Sequence, residues 1–189
     1  MSNKAFFLDR DGTLNVDYDY VHKIEEWTWC DGAIEALELI RDLGYKILVV
    51  TNQSGVARGR YDMDDVNRLH QWVDDQLAQH DIRITEWYVA PWHPEFHEDR
   101  DPELLNYRKP GLGYFEEARD QYDLDLSQSC MAGDKVSDLQ PAVELGITPF
   151  FIRSRHEESQ DHRWLNQHKI ETYDRLLDAV MTLQKENVS

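Results

Sequence analysis

Four acidic residues fall into two pairs, and each pair directly follows a short apolar run. Asp9 and Asp11 lie in the segment DRDGT behind the run AFFL, and Asp134 and Asp138 lie in GDKVSD behind SCMA. Carboxylates that converge on one point repel each other unless a cation or a shared proton relieves them. A hard divalent cation, most economically Mg²⁺, binds such oxygen ligands, and the cation in turn indicates a phosphate-bearing ligand.

Two further segments offer groups that bind phosphate. Thr51 and Asn52 open the segment TNQSG behind the run KILVV, which provides a hydroxyl and backbone N–H groups for phosphate oxygens. Arg108 and Lys109 open RKPG just before a predicted helix. Their positive charges can neutralise the negative charge that builds up on a transferring phosphoryl group. Together these residue types indicate phosphoryl-transfer chemistry.

This chemistry needs a fold that gathers the ends of several strands at one edge. Short apolar runs alternate with helical periodicity along the chain, which predicts an α/β, Rossmann-like three-layer sandwich with a mainly parallel central sheet. The carboxyl ends of such strands form the ligand crevice. The predicted strands are 5–8, 46–50, 86–89, 129–132 and 147–152, and the predicted helices are 34–43, 63–77 with Asp62 as N-cap, 111–122, 137–145 and 173–184.

The length and composition predict one domain over residues 1–189 with a real hydrophobic core. The chain has 189 residues, 41% of them hydrophobic, with 6 Trp, 9 Tyr and 6 Phe, which is too apolar for intrinsic disorder. One irregular stretch at about residues 90–108 is rich in charge, His and Pro. It predicts an extended loop, and loops of that length in compact domains are usually functional.

The net charge of the chain limits which classes of partner it can bind. Lys and Arg number 20 against 37 Asp and Glu, so the net charge is −17, which repels nucleic-acid backbones and anionic membranes. We therefore expect neither a nucleic-acid partner nor a membrane partner. A monomer is the expected state, although the charge itself does not determine it. Cys30 and Cys130 match no metal or disulfide spacing, and the run AFFL is too short for a secretory signal. The expected location is the cytoplasm.

The four ordered motifs DRDGT, TNQSG, the lysine of RKPG and GDKVSD resemble those of the haloacid dehalogenase-like phosphohydrolases, and they span nearly the whole chain. The resemblance implies a phosphomonoesterase that works through an aspartyl-phosphate intermediate. It implies that Asp9 is the nucleophile and Asp11 the general acid and base. Thr51 and Lys109 would hold the phosphoryl oxygens.

The same resemblance implies a magnesium site. Asp9, the backbone carbonyl of Asp11 and Asp134 would bind Mg²⁺, with Asp138 either a further ligand or a support for the ligands. A response-regulator receiver domain also carries an acidic cluster with Thr and Lys at strand ends. Its phosphoacceptor lies on a later strand than its acidic pair, whereas here the alternating acids come on the first strand, so the motif order favours the phosphatase.

Within the family, the spacings leave no room for a large cap domain, so the site is expected to be open. The segments resemble the capless subfamily of heptose 1,7-bisphosphate phosphatases and histidinol-phosphate phosphatases, which implies a small phosphorylated sugar of lipopolysaccharide biosynthesis as substrate. The implied substrate-binding residues are Asn52, Arg58, Arg108 and Lys135. Histidinol phosphate, another sugar phosphate or a nucleotide is the alternative substrate. A non-catalytic phosphate-binding or scaffold protein is the alternative of a different class.

One departure from the subfamily is sharp. Relatives carry a zinc loop of the type CxH…CxC just before RKP, but here the four ligand positions hold Ala90, Trp92, Leu105 and Tyr107. No structural zinc is therefore expected, because no thiolate is available. A substitute site built on His93 and His97 is the weaker alternative. We expect instead that packing holds the loop, through Trp92, Phe96, Leu104 and Tyr107.

Overall fold

In a computed structural model, the described residues are 3–96, 101–155 and 159–186. They form one six-stranded sheet in the order β3-β2-β1-β4-β5-β6, and every neighbouring pair is parallel. The predicted α/β fold with a parallel central sheet is therefore confirmed. The strands are β1 Ala5–Leu8, β2 Lys46–Asn52, β3 Ile84–Ala90, β4 Cys130–Gly133, β5 Thr148–Ile152 and β6 Thr172–Tyr173.

Helices connect and cover these strands. They are α1 Ala33–Asp42, α2 Ser54–Ala57, α3 Met63–Ala78, α4 Pro102–Leu105, α5 Gly113–Tyr122, α6 Val136–Leu145, α7 Ser159–His168 and α8 Leu176–Glu186. Asp62 caps α3 as predicted, because its side chain accepts a hydrogen bond from the Asp65 backbone N–H at 2.9 Å. Not one of the described helices is both long and apolar enough to cross a bilayer.

The sheet is buried on both faces, as strand β1 shows. Phe6 and Leu8 pack into a cluster with α1, α3 and α8, whereas Ala5 and Phe7 pack on the other face with α5, α6 and α7. Successive side chains of a strand point to opposite faces, so an unbroken apolar run fits a strand covered on both sides. This arrangement gives the three layers.

Some element boundaries differ from the prediction. Strand β2 continues to Asn52, so Thr51 and Asn52 end the strand instead of following it. The helix predicted to start at residue 173 starts at Leu176, because Thr172–Tyr173 pairs with β5 as β6. Helix α7 was not predicted, since its sequence SQDHRWLNQH holds too few apolar residues to show a periodicity.

The predicted loop at about residues 90–108 is partly structured. A one-turn helix, α4, lies within it, and the Asp101 side chain accepts a hydrogen bond from the Glu103 backbone N–H at its start. A proline in the first turn of α4 fits, because the lost N–H has no partner in a first turn. Residues 97–100 lie outside the described part of the chain.

Strand β1 lies at the point where the chain reverses its direction of travel across the sheet. The chain moves outward from β1 through β2 to β3 and then returns to β4 on the other side of β1. Ligands bind at such a switch point, outside the carboxyl ends of the strands. Both acidic pairs begin at this switch point. Leu8, which precedes Asp9, is the register partner of Ala132, which lies two residues before Asp134.

Candidate active site

The carboxylates of Asp9, Asp134 and Asp138 meet at the ends of β1 and β4. Each offers one oxygen within 4.8 Å of the others, and all three residues are buried. The sheet places Asp9 beside Asp134, because the Asp9 backbone N–H donates to the carbonyl of Ala132 at 2.9 Å, two residues before Asp134. Asp138 lies in the first turn of α6. The two acidic segments thus come together as their positions after strands indicated.

Two glycines leave room for these carboxylates. Gly12 has φ +92°, and a β-carbon on it would lie 2.2 Å from Oδ2 of Asp134. A β-carbon on Gly133 would lie 2.4 Å from the β-carbon of Asp138. A side chain at either position would displace an acidic residue, and at Gly12 it would also meet a strained backbone.

The ammonium group of Lys109 lies between two carboxylates of the acidic cluster. It is 2.6 Å from Oδ1 of Asp9 and 2.8 Å from Oδ1 of Asp138, and it also donates to the Val50 carbonyl. Burial disfavours the charged ammonium, but Asp138 and Asp9 outweigh that effect and raise its pKa. All three N–H bonds have protein partners, so contact with a phosphoryl oxygen requires that one of them changes partner.

The single positive charge of Lys109 does not neutralise the three carboxylates of the cluster. Burial, with repulsion from Asp138, raises the pKa of Asp9 to about 6 even though Lys109 opposes it. Burial, with repulsion from Asp9 and Asp138, raises the pKa of Asp134 to about 8. Raised carboxyl pKa values in a cleft mark a place where additional positive charge would bind.

A divalent cation fits this cluster. Both side-chain oxygens of Asp134 are buried, and within the described chain neither forms a hydrogen bond of ordinary geometry, although the Ser154 side chain lies near enough to favour the ionised form of Asp134. Buried carboxylate oxygens without partners are costly, and a hard cation satisfies them. Asp138 differs, since one oxygen contacts Lys109 and the other accepts the Lys135 backbone N–H at 3.0 Å. Its contacts match the supporting role rather than that of a direct ligand.

Asp11 lies apart from these three carboxylates and borders the cavity described below. Its Oδ1 accepts from Arg10 Nη2 at 2.9 Å and Asn15 Nδ2 at 3.0 Å, and its Oδ2 accepts from Gln53 Nε2 at 2.9 Å. Burial alone would raise the pKa of Asp11, but Arg10, Asn15 and Gln53 together lower it. Asp11 is therefore ionised in this arrangement, as a proton acceptor must be.

Thr51 and Asn52 end strand β2 beside the cluster. The Thr51 hydroxyl oxygen accepts from Gln53 Nε2 at 2.8 Å. Asn52 uses its side-chain amide on the backbone of Lys109, donating to its carbonyl and accepting from its N–H, each at 3.0 Å. Asn52 therefore holds Lys109 in place, and because it also lines the cavity described below, its predicted binding of substrate stays a prediction.

A cavity of about 570 Å³ opens above the cluster. Arg108 and Lys135 line it as predicted, but Arg58 does not. The Arg58 guanidinium lies over the Phe96 ring at 4.2 Å and within 3.5 Å of His93 Nε2. Burial and the neighbouring Arg58 charge lower the pKa of Arg108, so the two guanidinium groups are close enough to repel each other.

Sequence reasoning missed several residues that line the cavity. Gln53 lies inside the motif TNQSG without a predicted role of its own, and Tyr61 lies in no pattern that indicates a site. The position of Gln53 between two polar motif residues was an available signal, whereas Tyr61 gave none. The remaining missed lining residues include Asp17, Asp19, Tyr20 and His93.

Packing holds part of the loop at about residues 90–108, as expected. The Trp92 and Tyr107 rings lie 6.4 Å apart, and Tyr107 packs edge-on against Tyr114 at 4.9 Å. Phe96 packs within the loop only in part: its ring lies 5.2 Å from the His93 ring and under the Arg58 guanidinium at 4.2 Å, yet the residue is 44% exposed. A cation–π contact covers one ring face, which is compatible with that exposure.

The alternative zinc site finds no complete ligand set in the described chain. His93 approaches Arg58, and His97 lies outside the described residues. Within the part of the chain that the structure describes, the acidic cluster is the one group of three or more His, Cys, Asp or Glu residues close enough to share a metal ion.

Comparisons with known proteins agree with this site. The family model for polynucleotide kinase 3 phosphatase matches residues 4–168. The D-glycero-beta-D-manno-heptose-1,7-bisphosphate 7-phosphatase of Escherichia coli O6:H1 is 40% identical over 151 residues, which is 79% of this chain and 80% of that protein. The protein of the same name from Haemophilus influenzae is 43% identical over 145 residues, 75% of this chain and 76% of its own.

A solved structure extends the agreement to the fold. The D,D-heptose 1,7-bisphosphate phosphatase from B. bronchiseptica, crystallised with magnesium and phosphate, superposes with a TM-score of 0.81 at 28% identity. The match covers 97% of this chain and 99% of that one. With the acidic cluster, its lysine and the ordered motifs in place, the chain belongs to the haloacid dehalogenase-like phosphatases and is a phosphomonoesterase.

Proposed function

We propose that residues 1–189 form a single-domain, Mg²⁺-dependent phosphatase that removes the 7-phosphate of D-glycero-D-manno-heptose 1,7-bisphosphate. The observation that carries the chemistry is the buried group of Asp9, Asp134 and Asp138 around Lys109, at the floor of a cavity. The substrate follows from the names of the relatives and from the cations that line the cavity. This substrate belongs to the carbohydrate metabolism of lipopolysaccharide biosynthesis.

In the first half-reaction, a carboxylate oxygen of Asp9 attacks phosphorus and the bond from phosphorus to the sugar oxygen breaks. Asp11 donates a proton to that oxygen, so the sugar leaves as an alcohol and Asp9 carries the phosphoryl group. Asp11 must first take up this proton. The negative charge of an arriving phosphate ester favours uptake, because like charges raise the pKa of a carboxyl group.

In the second half-reaction, the Asp11 carboxylate accepts a proton from water while the water oxygen attacks phosphorus. The bond between Asp9 and phosphorus breaks, and inorganic phosphate is released. Thr51 donates its hydroxyl hydrogen to a phosphoryl oxygen, and Lys109 offsets the negative charge that develops on Asp9 and the phosphoryl group. Asp9 is then a free carboxylate again, and Asp11 is left protonated, ready to act as the acid on a second ester or to release the proton to solvent.

Asp9, the backbone carbonyl of Asp11 and Asp134 would hold Mg²⁺, supported by Asp138. When bound, the ion supplies positive charge that offsets the phosphoryl oxygens and the carboxylates around them. The two buried oxygens of Asp134, which form no hydrogen bond of ordinary geometry within the described chain, support this assignment.

Arg108 and Lys135 would bind the distal phosphate of the substrate, because both line the cavity beside the reacting centre. Arg58 would act from the rim, next to Arg108. Like charges held close together are relieved when an anion binds between them, which favours a substrate with a second anionic group. The Lys135 ammonium lies 3.6 Å from Asp17, which leaves it at the cavity wall.

Histidinol phosphate is the second candidate substrate. Its amine would pair with the acidic residues Asp17 and Asp19 that line the cavity. A nucleic-acid substrate is disfavoured, because the net charge of −17 opposes binding of a polyanion. The same charge supports a free monomer in the cytoplasm as the working form.

A panel of phosphate esters tests the substrate. We expect kcat/KM for heptose 1,7-bisphosphate to exceed that for histidinol phosphate, glucose 6-phosphate and AMP, with release of the 7-phosphate and full dependence on Mg²⁺. A preference for histidinol phosphate would overturn the substrate and leave the chemistry in place. If no ester is hydrolysed with Mg²⁺ present, a binding or scaffold role replaces the catalytic one.

A further inference from the structure

Gln53 joins two residues to which the proposed function gives different tasks. Its side-chain Nε2 donates to Oδ2 of Asp11 at 2.9 Å and to Oγ1 of Thr51 at 2.8 Å. Gln53 is buried, with 2% of its surface exposed. One amide nitrogen therefore contacts both the proposed general acid and the proposed phosphoryl-binding hydroxyl.

This bridge depends on which way the amide faces. An ionised carboxylate only accepts hydrogen bonds, so the nitrogen of Gln53 must face Asp11 and the oxygen must face away. Tyr61 meets that oxygen, because its hydroxyl donates to Oε1 of Gln53 at 2.7 Å. If the Gln53 amide were turned so that its oxygen and nitrogen exchanged places, the oxygen would face the Asp11 carboxylate, and two acceptors would meet. The Tyr61 hydroxyl would then face the amide nitrogen, which is a donor.

The Tyr61 hydroxyl is itself held in position. The residue is 8% exposed, and its ring stacks on His22 at 4.6 Å with an interplanar angle of 12°. Gly55 lies so close that a β-carbon there would be 2.1 Å from Cε1 of Tyr61. Burial keeps the phenol protonated by raising its pKa to about 12, so the hydroxyl remains a donor.

The direction of the bridge also orients the Thr51 hydroxyl. A hydroxyl has a single hydrogen, and here its oxygen already accepts from Gln53. The hydrogen of Thr51 therefore points away from Gln53 and can be donated to a phosphoryl oxygen. The same amide therefore contributes an orienting contact to Thr51 and to Asp11, whose other oxygen is held by Arg10 and Asn15.

We propose that Gln53 and Tyr61 are positioning residues for the hydrolysis, with Tyr61 fixing the amide of Gln53 and Gln53 aiming Asp11 at the leaving-group oxygen and Thr51 at the phosphoryl group. This inference rests on the proposed function, because it takes the tasks of Asp11 and Thr51 from there. Neither residue needs to touch the substrate for the effect.

Leaving-group dependence tests the proposal. The variant Tyr61→Phe keeps the ring and removes only the hydroxyl. On the better alkyl phosphate of the substrate panel, we expect kcat to fall about tenfold with KM unchanged, the loss typical of one hydrogen bond. On p-nitrophenyl phosphate, whose leaving group needs no proton, we expect kcat/KM to fall by about threefold or less, through Thr51 alone, because kcat/KM does not include the later hydrolysis of the aspartyl-phosphate in which Asp11 acts as base.

A double-mutant cycle tests the order of action. Gln53→Met keeps the side-chain length and removes every hydrogen bond of the amide, so the expected loss of kcat on the alkyl phosphate is about a hundredfold. In that background, adding Tyr61→Phe should change kcat by no more than about twofold, because Tyr61 acts only through Gln53. Independent, multiplicative effects of the two substitutions would overturn the proposal.

Tyr88→Phe is the matched control, since Tyr88 is a buried tyrosine whose hydroxyl donates to Oε1 of Gln121 at 3.1 Å, outside the cavity lining. We expect it to leave kcat on both substrates unchanged, and thermal unfolding of all variants checks their folding. If Tyr61→Phe behaves like Tyr88→Phe, or lowers kcat/KM equally on both substrates, the positioning role is wrong.

Asp11→Asn separates this result from a failure of the proposed function. If Asp11→Asn lowers kcat/KM far more on the alkyl than on the aryl phosphate, Asp11 is the general acid, and a flat result for Tyr61→Phe then refutes the positioning role alone. If Asp11→Asn lowers kcat/KM equally on both substrates, the proposed general-acid task of Asp11 is wrong and the inference falls with it.

Discussion

The strand ends and the loop at about residues 90–108 border the same cavity, yet different forces fix their side chains. At the strand ends, buried carboxylates contact Lys109 and leave no space for a side chain at Gly12 or Gly133. In the loop, rings of half-buried aromatic residues lie against one another, with no metal-ligand set among the described residues. The charged region holds the groups that carry out the reaction, whereas from the loop His93, Pro94 and Arg108 line the cavity.

This difference teaches which changes a phosphatase of this kind tolerates. A buried charge that loses its partner is strongly destabilised, so the strand ends respond sharply to any substitution. Aromatic packing at a half-exposed site contributes less per residue and can be rebuilt with other apolar side chains. Replacement of zinc-ligand positions by Ala90, Trp92, Leu105 and Tyr107 is compatible with an unchanged catalytic centre.

The largest expected effect comes from the nucleophile. Asp9→Asn should lower kcat by about 10⁴-fold or more on every phosphate ester, because the attacking oxygen is lost. Phosphate release with saturating Mg²⁺ measures the effect. Asp120→Asn, at an exposed carboxylate paired with Arg119, is the control and should be fully active. Activity of Asp9→Asn above about a hundredth of wild type would contradict the aspartyl-phosphate route.

The substrate-binding cations come next. Arg108→Ala should lower kcat/KM for heptose 1,7-bisphosphate by about 10- to 100-fold, the worth of a charge-assisted hydrogen bond, but that for p-nitrophenyl phosphate by about threefold at most. Arg153→Ala, an exposed arginine paired with Asp174, is the control. Equal losses on both substrates would show that Arg108 serves the reacting phosphate instead.

The acidic cluster should also make stability depend on pH in the metal-free protein. The pKa values of Asp9 and Asp134, raised to about 6 and about 8, mean that the folded state holds protons that the unfolded state releases above about pH 4. The free energy of unfolding should therefore fall as pH rises from about 4 to 8, by up to about 1.4 kcal/mol per pH unit for each proton. The lowered pKa of Asp11 acts in the opposite sense, only below its ordinary range.

Thermal unfolding in EDTA and in Mg²⁺ measures this dependence. Mg²⁺ at about a hundred times its Kd adds about 2.7 kcal/mol of stability, which corresponds to about 5–10 °C in Tm for a chain of this size. Asp134→Asn should abolish the increase, whereas Asp120→Asn should retain it. A Tm that does not respond to Mg²⁺ would argue against the metal site.

A smaller effect is expected in the loop. Tyr107→Ala removes the ring contacts with Trp92 and Tyr114 and should lower the free energy of unfolding by about 1–2 kcal/mol, measured in urea. The kcat for p-nitrophenyl phosphate should change by about threefold at most, because the catalytic acids are untouched. A loss of kcat comparable with that of Asp9→Asn would break the division between the two regions.

The smallest expected effect is that of zinc removal. A zinc-selective chelator, followed by gel filtration and return to Mg²⁺, should leave kcat and Tm unchanged, and elemental analysis should find less than one zinc per chain. Loss of activity that returns with zinc alone would restore the substitute site as the explanation for the loop.

The sheet and the acidic cluster could be predicted because each depends on short-range sequence signals. Apolar runs such as AFFL identify buried strands, and polar residues behind them must gather at one edge of a parallel sheet. The exact contacts of Asn52 and Lys109 could not be predicted, because they depend on which carbonyls and amides lie across the sheet. Both residues pair with groups far away in sequence.

Elements with weak periodicity were missed for a physical reason. Helix α7 is mostly polar, and β6 spans two residues at the edge of the sheet. The exposure of Phe96 could not be predicted from the sequence either, because a cation–π contact with an arginine stabilises an aromatic ring that is not buried. The sequence does not distinguish Tyr61 from other buried tyrosines, and only the hydrogen bond from its hydroxyl to Gln53 does so.

The close approach of Gly12 and Gly133 to Asp134 and Asp138 has an evolutionary consequence. At these two positions any mutation collides with the residues that perform the reaction, so natural variation is barred from them whatever the substrate. Diversity is left to the rim, where Arg58 and Phe96 lie. A directed-evolution library that randomises the rim and spares the two glycines should yield new substrate preferences without loss of phosphatase chemistry.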